Sequence, residues 1–152
     1  MKPVLFLRIA CVLTMIHSIL HTIGGVFGKP APGVAAATLE IMKANAFPAM
    51  GMTRTYFDFL RGMGLAVTIF LTIEAIVFWQ LGTLARTDAT RLRPIIATFL
   101  IAYLALAVNS YTYFFLGPVI AEILIVACLG MAIVTANAAE PVGTGQLATG
   151  RV

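Results

Sequence analysis

Two histidines stand one helical turn apart in an otherwise apolar stretch, His17-x-x-x-His21. On a helix this spacing turns both imidazoles to one side, where they could chelate one metal ion or handle a proton. The zinc-protease signature places Glu directly after the first His, and here that residue is Ser18. A metal site would therefore need a third ligand from elsewhere in the chain. Glu122 or Asp58 could supply it, and His17, His21 and Glu122 form the expected metal set. The alternative without chemistry is that the imidazoles hydrogen-bond across neighbouring helices to Glu122, Asn109 or Thr14. Two histidines on one turn cannot be both axial ligands of one haem, although either could be a single ligand.

The remaining candidates are single polar residues in apolar surroundings. Glu122 lies among aliphatics in PVIAEIL. A carboxyl there needs a proton or a partner, and His17 is the expected partner. Asp58 has Arg54 and Arg61 within helical reach, which predicts an ion pair fixing a helix start, with Arg61 free to orient an anionic group. Glu74 is sixteen residues past Asp58, about 160° round a helix at ~100° per residue. It is expected to serve a helix or subunit contact, apart from the Asp58 cluster.

Met42, Met50 and Met52 offer soft ligands of the kind Cu(I) prefers, though Met is also a common apolar filler. Cys11 and Cys128 sit in apolar runs without a Cys-x-x-Cys spacing and read as packing residues. Gly62-x-Gly64 reads as a packing signal. No nucleophile elbow, phosphate loop or dinucleotide fingerprint is present, so the sequence carries no catalytic signature.

The elements that must position these residues follow from composition. The chain has 152 residues, 61% hydrophobic and 11% charged, with a mean hydropathy of +1.00. Soluble domains carry roughly 45–50% apolar and about 25% charged residues. A soluble enzyme, a disordered chain and a disulfide scaffold are excluded. The expected class is all-α, a polytopic membrane protein built as an antiparallel four-transmembrane-helix bundle with a long outer first loop. A span needs about 20 mainly apolar residues, and helices satisfy the backbone in lipid. The predicted helices cover about 3–27, 55–82, 94–113 and 118–136. Residues 28–54 form the outer loop and 137–152 a flexible tail. Within the loop, 34–46 could form a short interfacial helix, ended by Pro48 and Gly51. The opening residues mimic a signal peptide, but no small-x-small cleavage site follows, and the segment reads as a retained span.

The net charge is +4, and the basic residues are spread along the chain, so nucleic acid is not an expected partner. Lys2 and Arg8, with Arg86, Arg91 and Arg93, mark one side and predict both termini in the cytoplasm, in a bacterial inner membrane. Tyr56, Phe57, Phe59, Tyr111, Tyr113, Phe114 and Phe115 would form the outer aromatic belt, with Trp79 at the inner end. At ~1.5 Å per residue, His17, Glu122 and Asn109 lie roughly 21–22 Å from the inner ends of their helices. The stripe Ala10, Thr14, His17, Ser18, His21, Gly24 and Gly25 should face protein. A polar pocket of His17, His21, Asp58, Arg61, Asn109 and Glu122 is thus expected in the outer third.

HSILHTIGG in the first helix, with MK in the loop and RTYFDFLRGMG opening the second helix, resembles a group of small bacterial four-helix membrane proteins of unassigned activity. The resemblance covers the first half of the chain and implies the architecture alone. Size and span count are also similar to the membrane-associated eicosanoid and glutathione metabolism family. RGMGLAVTIFLTIEAIVF lacks that family's Arg/Asn/Glu-rich second-helix pattern, so its function is not carried over. The expected function is binding of a metal ion, cofactor or small amphiphilic ligand in the pocket. The alternative is an accessory or scaffold subunit of a larger membrane complex, or a homo-oligomer in the lipid bilayer, with Glu74 as the partner-interface candidate.

Overall fold

A computed structural model describes residues 2–137. Helix α1 (Lys2–Leu20) runs directly into a π-helical turn, His21–Val26. A short helix α2 (Val34–Ala44) and a hairpin of β1 (Ala46–Ala49) and β2 (Met52–Thr55) follow. Helix α3 (Tyr56–Asp88) leads through a 3-10 turn, Thr90–Leu92, into α4 (Arg93–Tyr113), and α5 (Leu116–Asn137) closes the described chain. Four segments are long and apolar enough to cross a membrane: Lys2–Val26, Tyr56–Asp88, Thr90–Tyr113 and Leu116–Ala136. The predicted tail lies outside the described residues, apart from Asn137 at the end of α5.

Helix α1 packs against both α3 and α5, and α5 also packs against α4. As residue numbers rise on α1, those they meet on α3 fall: Arg8 bonds Thr83, Ser18 bonds Thr72 and Thr22 bonds Thr68. Between α3 and α4 large side chains make the link. Phe78 meets Phe99 edge-on at 5.1 Å and lies 6.0 Å from the Tyr103 ring. The core comprises Leu7, Ala10, Phe78, Leu81, Ala85, Ile96, Tyr103, Ile125, Leu129 and Ala132. Many large aliphatic and aromatic side chains of the long helices are exposed, among them Ile69, Phe70, Ile101 and Val108.

The boundaries differ from the sequence expectation in three places, each for a local reason. Helix α3 continues through Gly82 to Asp88 because Leu81, Gly82 and Ala85 are all buried on its inward face. The expected second loop is therefore mostly helix. Helix α5 begins at Leu116, since Pro118 falls in the first turn, where a missing N–H costs nothing. The first connection contains the expected short helix and an unexpected hairpin. The turn puts Met50 (φ 47°) and Gly51 (φ 86°) in the left-handed region. Two consecutive positive φ angles are what a tight two-residue hairpin needs, and Gly supplies one at no steric cost.

The start of α3 is built locally. Thr55 Oγ1 accepts from the Asp58 N–H at 3.1 Å, and the Asp58 carboxylate accepts from the Thr55 N–H at 2.8 Å. This reciprocal capping box satisfies two backbone donors that a helix start otherwise leaves unpaired.

Candidate functional site

The hydroxyl-bearing residues of α1 and α3 form a seam. Ser18 Oγ lies 3.0 Å from Thr72 Oγ1 and donates to the Thr68 carbonyl at 3.2 Å. Thr22 Oγ1 donates to the Ser18 carbonyl and lies 3.0 Å from Thr68 Oγ1. Thr68 and Thr72 each donate back one turn along α3, to Gly64 and Thr68. At the other end of the seam Arg8 donates to Thr83 Oγ1 at 2.9 Å, and its guanidinium lies 3.3 Å from the centre of the Trp79 ring. Its stem follows the apolar helix while its head finds a hydroxyl and a ring face.

At mid-length a second group joins three helices. The Tyr103 hydroxyl, on a fully buried side chain, donates to Glu74 Oε2 at 2.7 Å. Its one proton is then spent, so the contact with Thr14 Oγ1 at 3.4 Å has Thr14 donating. A third group joins α4 to α5: Ser110 Oγ donates to Glu122 Oε1 at 2.9 Å, and both residues are buried, each 4% exposed.

Two buried atoms nearer the α2 end of the helices complete no hydrogen bond among the described residues. They are Glu122 Oε2 and His17 Nδ1. They belong to α5 and α1, two helices that pack against each other. Buried polar atoms are satisfied in the great majority of cases, and exceptions mark water, ion or functional positions.

No hydrogen bond or salt bridge joins any two of the six expected pocket residues. His17 is partly buried, and no hydrogen bond joins it to Glu122. The carboxyl takes Ser110 instead, a hydroxyl three residues before the end of α4. His21 sits in the π-helical turn and its Nε2 lies 3.1 Å from the Gly64 carbonyl of α3. A Cβ at Gly25 would come within 3.3 Å of the His21 Nδ1 atom, so this glycine leaves the ring its room. Of the two imidazoles, His21 therefore has a partner on α3, while the buried Nδ1 of His17 has none among the described residues. Asp58 is exposed and occupied by its own helix start, so the predicted ion pair with Arg54 or Arg61 does not form. Arg61 is exposed over the Phe27 and Phe57 rings, at 5.0 and 5.8 Å, and Arg54 donates to Thr53 and to the Met52 sulfur. Asn109 is exposed on the outward side of α4. No group of three His, Cys, Asp or Glu residues able to hold a metal is present among the described residues. The expected His17, His21 and Glu122 metal set is therefore not assembled.

Glu74 was expected apart from Asp58, and the two do lie on different faces. Glu74 is partly exposed, and its carboxylate accepts from the Tyr103 hydroxyl of α4. Tyr103 and Ser110 are the functional side chains that sequence reasoning missed. Their signal was the spacing of Ile96, Tyr103, Ala107 and Ser110, the buried seam of α4.

No family model matches the chain, and no curated protein or solved structure matches it.

Proposed function

We propose that the protein is a multi-pass membrane protein whose interior holds a hydrogen-bonding guest between His17 and Glu122. In this reading the four long helices form an antiparallel transmembrane bundle in a bacterial inner membrane. The termini are cytoplasmic, and α2 with the hairpin covers the outer end. The architecture is the one its resemblance to small bacterial four-helix proteins implies. The guest is a water molecule, a proton or the polar head of a small amphiphile, since the donor set offers one imidazole and one carboxyl and lacks a third metal ligand.

The supporting observation is the pair of buried atoms without partners, Nδ1 of His17 and Oε2 of Glu122, on two helices in mutual contact. An unpaired buried polar group costs about 1–3 kcal/mol, so two of them on adjacent helices call for a shared partner. The imidazole can donate or accept at Nδ1 and the carboxyl can do the same at Oε2, according to protonation. A guest between them would close both.

A double-mutant cycle tests this reading. Unfolding of purified protein in detergent is followed for His17→Asn, Glu122→Gln and the double variant. A shared guest predicts non-additivity of about 1 kcal/mol. Additive effects would reject it.

A second reading rests on Asn109. This amide stands exposed on α4 inside an apolar helix, and in lipid such a side chain seeks a polar group on another helix. It keeps the accessory-subunit or homo-oligomer alternative in view, with Asn109 replacing Glu74 as the interface candidate. A change of oligomeric state in Asn109→Leu would support it.

A further inference from the structure

Glu74 differs from every other acidic residue of the described chain. Glu40 and Asp88 are paired with Lys43 and Arg91, Asp58 caps a helix and Glu122 is buried. Glu74 is partly exposed, yet it lies far from either end of its helix: eighteen residues after Tyr56 and fourteen before Asp88, roughly 27 and 21 Å along the axis. Its partner Tyr103 stands at the midpoint of α4, ten residues from each end. If the helices cross a bilayer, this carboxyl opens toward acyl chains near mid-depth, not toward water. Its neighbours agree, since Phe70, one turn back, and Ile73, just before it in sequence, are 66% and 50% exposed.

No cation among the described residues pairs with it. On α1, Arg8 is engaged by Thr83 and Trp79, and Thr83 is nine residues from Glu74, roughly 13 Å along α3. His17, also on α1, lies near the level of Glu74 in the register that pairs Ser18 with Thr72, yet no salt bridge or hydrogen bond joins the two. On α3 itself Arg61 is thirteen residues away, roughly 20 Å. From α4 the titratable neighbour is Tyr103, and beyond it on α5 are Glu122, held by Ser110, and Cys128. An isolated carboxylate cannot stay charged in hydrocarbon; it holds a proton or is matched by a cation. The apolar surroundings favour a particular kind of cation. Phe70 is an exposed ring one turn before Glu74, whereas Phe78, one turn after it, is buried in the core. A cation that reaches the carboxyl through hydrocarbon must itself be apolar, and an exposed ring beside the carboxyl adds attraction.

We propose that Glu74 is a lipid-facing binding site for a lipophilic cation, a bulky quaternary or protonated amine type of ligand, which displaces a proton. The exchange is balanced: the carboxylic acid and the cation give a carboxylate–cation pair and one released proton. Tyr103 is the positioning residue. Its hydroxyl holds one carboxyl oxygen, and Thr14 holds the hydroxyl. The site rests on the membrane reading but is independent of the proposed His17–Glu122 guest.

Tetraphenylphosphonium binding to the purified full-length protein, in micelles, tests the site. Apparent affinity should fall by up to about tenfold per pH unit on acidification, as one-for-one exchange requires. Glu74→Gln should lose at least about tenfold, Glu74→Asp should keep part of the affinity, and Glu40→Gln, on the exposed short helix, should bind as the wild type does. Equal binding by Glu74→Gln, or no binding by the wild type from mildly acidic to mildly basic pH, would overturn the proposal. Should Glu74→Gln misfold, dicyclohexylcarbodiimide supplies the second measurement on the wild type. The carboxylic O–H adds across the carbodiimide and the acyl group migrates to nitrogen, leaving a stable N-acylurea. Labelling at Glu74 that tetraphenylphosphonium blocks agrees with the proposal; labelling that it leaves unchanged contradicts it.

Discussion

The α2 end of the molecule and the middle of its helices use the same residue types in opposite ways. At the α2 end, Asp58 takes the nearest backbone N–H, and Arg61 lies over the Phe27 and Phe57 rings. Each is satisfied within its own helix start or by the neighbouring segment, and each stays exposed. Between the helices, Glu74 at mid-length and the buried Glu122 reach another helix, to Tyr103 and Ser110. Access to water explains the contrast. Where water can solvate a charge, local capping suffices and longer-range pairing adds little. Where it cannot, each polar atom needs a protein partner, and the helices are tied together as a result.

Breaking the interior ties should therefore cost more than breaking those at the α2 end. The largest effect is expected for Tyr103→Phe, which removes the donor to Glu74 and the acceptor for Thr14 while keeping the ring. Unfolding in detergent should show a loss of about 1–3 kcal/mol. Ser110→Ala removes one neutral donor from the Glu122 carboxyl and should cost about 1–2 kcal/mol by the same assay. At the α2 end, Thr55→Ala takes away half of the capping box and should cost about 1 kcal/mol. Its signature is fraying of the first turn of α3, read by amide exchange. The smallest change should come from Met50→Asn, which places a residue tolerant of positive φ in the hairpin turn and should stabilise it by a few tenths of a kcal/mol. A larger loss for Thr55→Ala than for Tyr103→Phe would reverse the comparison.

The same contrast explains what the sequence made legible. Continuous apolar runs of the length that can cross a membrane mark helices, so all four long segments could be placed to within a few residues, except where α3 runs on past Gly82. The α1 stripe was also readable: Ala10, Thr14 and Ser18 are buried and His17 and His21 are partly so, although Gly24 and Gly25 are exposed. The partners of the polar residues were not readable. A depth count puts Asn109 level with His17 and Glu122, but rotation about the helix decides facing. Asn109 points outward while Ser110, its neighbour, takes the carboxyl. Asp58 looked like an ion-pair residue because two arginines flank it. The competing partner was a backbone N–H three residues back, a choice governed by the cap at Thr55 and invisible to charge spacing alone. Hydroxyls were undervalued throughout. Thr68, Thr72 and Tyr103 read as minor residues of apolar runs, yet they supply most of the bonds between the first helical segment, α3 and α4.

The most direct test of the guest proposed between α1 and α5 is the nitrogen-15 spectrum of His17 in selectively labelled protein, compared between wild type and Glu122→Gln. A guest shared by the two residues predicts that the His17 Nδ1 resonance moves when the carboxyl becomes an amide, while the His21 signal stays in place against Gly64. A His17 spectrum identical in both proteins would contradict it.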